Sequence, residues 1–62
     1  MITAEEAKVL WKHQPNYARV TSKVEKDIQD RLVNLGLLFR TGPDYCGITD
    51  EGIMVLTDLG LI

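Results

Sequence analysis

The chain has 62 residues, 45% of them apolar and 26% charged, with a net charge of −2 at neutral pH. Such a composition describes one small globular domain rather than a disordered tail, and a chain this short buries only roughly 60% of its unfolded surface. No apolar run approaches the roughly 20 residues of a membrane span, no signal-peptide pattern opens the chain, and the single Cys46 excludes an internal disulfide, so a reducing, cytoplasmic setting is expected.

Thr3-Ala4-Glu5-Glu6 reads as a capping box: the Thr3 oxygen accepts from the third amide of a first helix while Glu6 reaches back. Ile2 holds the position of a hydrophobic staple. Ala7, Leu10 and Trp11 form the expected inward stripe, Val9 points elsewhere, and Pro15 stops the helix near His13 or Gln14. Tyr17, Val20, Val24, Ile28, Leu32 and Leu35 then recur at intervals of three and four residues, a strong amphipathic helix pattern. Two readings fit it. One is a single helix with Pro15 or Asn16 in its first turn. The other is a short helical turn over 15–20, a break at Thr21-Ser22, and a main helix in which Ser22 and Glu25 make a second capping box. The second is preferred, because Ser22-Lys23-Val24-Glu25 is a good helix start in its own right.

Leu35-Gly36-Leu37-Leu38 places a glycine where this helix can stop in the left-handed conformation. Leu37–Thr41 and Tyr45–Thr49 are short runs of strand-formers around the turn residues Gly42-Pro43-Asp44. Thr49-Asp50-Glu51-Gly52 offers a hydroxyl and two carboxylates to a last helix, which runs to about Leu59 with Ile53, Met54, Leu56 and Leu59 as its apolar positions and Gly60 as its cap.

Over Leu32–Gly52 the chain resembles the winged helix-turn-helix family, in which a recognition helix ends in a Leu-Gly-Leu turn, a two-stranded wing follows, and a Thr-x-Glu-Gly run opens the next helix. The resemblance implies an α+β fold over residues 1–62: a small winged helix with a three-helix core, a two-stranded β-hairpin wing and a C-terminal helix. The middle helix of that core would be very short here, and the family's corner between helices falls at Thr21-Ser22.

Nothing in the chain points to catalysis, a metal or a cofactor. His13 and Cys46 are single and lie in different elements; His13 reads as a surface histidine at a helix end, and Cys46 as a small apolar strand residue. No three or four ligand types cluster at metal-binding spacing, and the glycines lack the lysine of a phosphate loop. Trp11, Tyr17, Phe39 and Tyr45 read as core. Lys8 and Lys12 read as solubilising.

The resemblance instead implies double-stranded DNA as partner. Ser22, Lys23, Lys26 and Gln29 would face the major groove, with Arg19, Lys23 and Lys26 at an N-terminal edge suited to phosphates and Arg40 at the wing. The function it implies is a small transcriptional regulator of the kind carried by phages or prophages, acting as a homodimer. Charge argues for a rival. Residues 1–40 carry all seven basic side chains and five acidic ones, whereas residues 41–62 carry four acidic and none basic. The rival is a winged-helix interaction module, an adaptor or an inhibitor of a nucleic-acid enzyme. It would dock a basic protein through Asp44, Asp50, Glu51, Asp58, Leu61 and Ile62. Pairs such as Lys23–Asp27 or Lys26–Asp30 would neutralise the helix face.

Overall fold

The computed structural model describes residues 2–14, 17–20 and 22–62, apart from the side chains of residues 17 and 18. It is a small α+β fold: α1 (Ala4–Lys12), β1 (Tyr17–Arg19), α2 (Lys23–Asn34), β2 (Leu38–Arg40), β3 (Tyr45–Ile48) and α3 (Asp50–Asp58). Among the described residues no helix is long and apolar enough to cross a membrane.

Helix α1 starts as its sequence dictates. The Glu6 amide donates to Thr3 Oγ1 at 3.1 Å, and the Thr3 amide donates to Glu6 Oε1 at 2.8 Å, so both halves of the capping box are closed. His13 caps the other end. Leu10 and Ala7 face inward as expected, but Val9 is also buried and Trp11 is 50% exposed, so the stripe is rotated toward Val9. Ile2 packs against the core.

The helical turn expected over 15–20 is not formed: residues 17–19 are a strand. It pairs antiparallel with β3, Ala18 opposite Cys46, in a sheet of order β1-β3-β2. Residues 17 and 20 have helical spacing, but a three-residue segment has little conformational preference of its own. The open edge of β3 supplies the backbone hydrogen bonds that decide its state, with the Val20 amide extending the pairing to the Asp44 carbonyl at 3.1 Å. The expected break before the main helix is present, since α2 begins at Lys23 after Ser22. The second capping box is not, because the Ser22 side chain makes no cap hydrogen bond. Thr21, Pro15 and Asn16, and the core role expected of the Tyr17 side chain, lie outside the described residues.

Both remaining helices end in the same way. Gly36 (φ 79°) and Gly60 (φ 75°) take the left-handed conformation. The Leu37 amide donates to Leu32 O and the Gly36 amide to Val33 O; Leu61 and Gly60 repeat this pair of bonds on Leu56 and Thr57. The hairpin β2–β3 pairs Leu38 with Ile48 and Arg40 with Cys46 around the Gly42-Pro43-Asp44 turn. Thr49 then ties the last helix to α2. Its hydroxyl donates to the Gly36 carbonyl at 2.7 Å and accepts from the Gly52 amide at 3.1 Å.

The core lies where the helices meet the sheet: Val9, Leu10, Leu32, Leu37, Leu38, Cys46 and Leu56, flanked by Ile28, Val33, Ile48 and Val55. Of the long stripe, Val20 and Leu32 are buried and Ile28 is partly so, while Val24 and Leu35 are exposed. Trp11, Phe39 and Tyr45, expected in the core, all stand at the surface.

Candidate functional site

The outward face of α2 is folded into the protein's own charge network. Asp44, at the hairpin turn, receives Lys26 Nζ on one carboxylate oxygen at 2.6 Å and faces Arg19 Nε from the other at 3.7 Å. The hydrogen bond from Lys26 holds the Asp44 carboxyl below its ordinary range, and the nearby charges of Lys26 and Arg19 add to this. Arg40 leaves β2 to pair with Asp30 on α2, and its Nη1 also donates to Gln29 Oε1 at 3.2 Å and Pro43 O at 3.3 Å. Lys23 faces Asp27 at 3.8 Å, one helical turn away. The hairpin is thus clamped onto the face of α2 from which base contacts were expected.

Of the expected i, i+4 pairs only Lys23–Asp27 forms. Lys26 and Asp30 each prefer a hairpin residue, Asp44 and Arg40 respectively. Lys12–Glu25 at 2.7 Å and Arg31–Glu6 complete the network. Six of the seven cations are therefore matched by a carboxylate, and Lys8 is the single one without such a pair among the described residues. Arg19 also stands 6.0 Å from the Tyr45 ring centre.

One expected site residue, Gln29, and one residue expected at the surface without a role, His13, are displaced outright from their expected places. Gln29, expected to read bases, is fully buried; so is His13, expected at the surface. They form one hydrogen-bonded chain. The Val9 carbonyl can only accept, so His13 Nδ1 carries the proton that bonds to it at 2.7 Å. Nε2 then accepts from the Gln29 amide nitrogen at 3.0 Å, and Gln29 Oε1 accepts from Arg40. Burial pushes the His13 pKa down, which the bond to Val9 O partly opposes. The chain joins α1, α2 and the hairpin. Its trace in the sequence is spacing: Glu6, Leu10 and His13 share a helical stripe, as do Gln29 and Leu32, once polar residues are admitted to the inner face.

A second surface carries apolar side chains instead of charge. Leu59 stands as a ridge between two open grooves. One, of about 400 Å³, lies between α1 and the end of α3, lined by Trp11, Lys8 and Leu61. The other, of about 370 Å³, is lined by Ile2, Leu35 and Asp58 on the opposite side of the same ridge. Trp11, Leu35, Leu59, Leu61 and Ile62 are each about half exposed, and Met54 on the outer face of α3 is 64% exposed. The acidic residues expected to dock a partner are divided: Asp44 is spent on Lys26 and Arg19, whereas Asp50, Glu51 and Asp58 stay on α3 with no ion pair among the described residues.

The described residues contain no group of three His, Cys, Asp or Glu placed to hold a metal ion. No protein-family model, curated protein or solved structure matches this chain.

Proposed function

We propose that the chain is a protein-binding module of winged-helix type that docks through its α1/α3 surface and does not read DNA through α2. The order of α2, hairpin and α3 is compatible with the winged-helix layout. The observation that carries the reading is the contrast between the two faces. On the α2 face Arg19, Lys23, Lys26 and Arg40 are opposed by Asp27, Asp30 and Asp44, leaving a single excess positive charge. Duplex binding draws its affinity largely from the counterions released as many phosphates are neutralised, and a nearly neutral face releases few. Gln29 is also withdrawn from that face. The α1/α3 face supports the positive half: several half-exposed large apolar side chains stand together around Leu59, a pattern typical of protein contact sites.

The test is a titration of labelled random-sequence duplex at about 50 and about 200 mM salt. The wild-type chain is expected to show no salt-sensitive retention at tens of micromolar protein. Asp44→Asn, which releases Lys26 and Arg19, is expected to retain more duplex than wild type at low salt. Tight wild-type binding that falls steeply with salt and disappears in Lys23→Glu/Lys26→Glu would restore the regulator reading in place of this one.

A further inference from the structure

The α1/α3 surface carries its own charge complement, and we propose that its occupant is a second copy of this chain, related by a two-fold axis running along the Leu59 ridge. This rests on the protein-binding reading of that surface. Leu59 separates a groove bearing Lys8 from one bearing Asp58. A two-fold rotation about an axis lying along the ridge turns each groove onto the other groove of the facing copy, because such an interface is made of the same patch twice. Lys8 of each copy then meets Asp58 of the other, and the two contacts are identical.

Those are the charged residues that line the two grooves, and neither is matched within the monomer; Glu5, Asp50 and Glu51, which also lack a cation among the described residues, line neither groove. Lys8 is the cation without a carboxylate partner among the described residues, and Asp58 has no cation. A foreign partner would have to bring an anion and a cation of its own at matching positions; this chain has both, on opposite sides of one apolar ridge. The ridge is also preorganised. The glycine turn after α3 fixes Leu59 and Leu61 through the bonds from Gly60 to Thr57 O and from Leu61 to Leu56 O, so docking orders little new backbone. A domain this small has a thin margin of stability, and burying the ridge against a copy of itself enlarges it.

The experiment is sedimentation equilibrium on the full chain, with Lys8→Glu, Asp58→Lys, and an equimolar mixture of the two. Wild type is expected at twice its 7.0 kDa mass. Each single variant sets like charges against each other at both contacts, and its dimer is expected to weaken at least about tenfold. The mixture restores opposite charges at both contacts and is expected to sediment as a heterodimer. Both positions are exposed, and circular dichroism of each variant checks that the fold is kept. A wild-type chain that stays monomeric at high micromolar concentration, or a mixture no tighter than its components, overturns the proposal.

Replacing Trp11 by a photo-crosslinking residue in the native host separates this failure from that of the underlying reading. A self-adduct supports both. An adduct to a different protein overturns the second copy but keeps the protein-binding reading, and no adduct overturns both.

Discussion

Replacing Gln29 with leucine tests the buried chain that joins three elements. Leucine nearly fills the space of the glutamine but removes the donor to His13 Nε2 and the acceptor for Arg40. The Arg40 end is cheap to lose, because the guanidinium keeps Asp30 and Pro43 O and its side chain is 32% exposed. The histidine end is not. With its ring fully buried, Nε2 becomes an acceptor with nothing to accept from, at a cost of about 1–3 kcal/mol. Adding a small loss at Arg40 and subtracting the gain from burying leucine instead of an amide leaves a net destabilisation of about 1 kcal/mol. A domain below about 70 residues rarely holds more than a few kcal/mol, so this change is a large fraction of the total. The assay is urea unfolding at pH 7.5 followed by Trp11, the single tryptophan and half exposed in the fold. His13→Leu/Gln29→Leu removes both ends of the His13–Gln29 bond together and is expected to cost less than the sum of the two single changes, since the orphan that each single change leaves across that bond is absent. A Gln29→Leu midpoint indistinguishable from wild type, or strictly additive double-variant energies, would refute the argument.

The same histidine sets the pH dependence. Its folded pKa lies below the ordinary 6.5, so between those two values the unfolded chain binds more protons, and stability is expected to fall as pH drops below about 6.5. His13→Gln should flatten that slope in urea midpoints taken from pH 7 to 5. Asp44 and Glu6, whose pKa values are also lowered, act in a separate window: their contribution is complete above their ordinary values of 3.8 and 4.5 and is lost as pH falls through the lower folded values. Thr3→Ala opens one half of the α1 capping box and is expected to cost about 1 kcal/mol, read as a fall of about 4–8 °C in Tm. Gly52→Ala should destabilise by about 1–3 kcal/mol despite the better helix propensity of alanine, because the new methyl would press on the Leu37 carbonyl and lie 2.8 Å from Ile48 Cγ1. A rise in its urea midpoint would contradict that packing.

Features set by neighbours in the chain were legible in the sequence. The Thr3 box, the Thr49 cap, the glycines at 36 and 60 and the hairpin turn each follow from a few adjacent residues, and each is where local chemistry puts it. What tertiary pairing decides was not legible. β1 is a strand because β3 offers it an edge, and Gln29 and His13 are inside because each satisfies the other across 16 residues of chain. The ionic face followed the same division. Lys23–Asp27 is local and was foreseen, whereas Lys26 and Asp30 turned to hairpin residues that helical spacing cannot reveal. The apolar face was partly visible, as Leu61 and Ile62 were marked for contact. The spacing places Trp11 in the core, and the rotation of the buried stripe toward Val9 that brings it out has no signature in its own segment.

Cys46 sits fully buried in the central strand, opposite Ala18 on one side and Arg40 on the other. Burial raises its thiol pKa and closes it to reagents, so a thiol probe reacts only when β3 has left both neighbours. With no other cysteine in the chain, the labelling rate at a reagent concentration high enough to outpace reclosing is the opening rate of the sheet. The protein therefore carries a built-in clock for its own unfolding, one that runs in dilute buffer or inside a cell without denaturant.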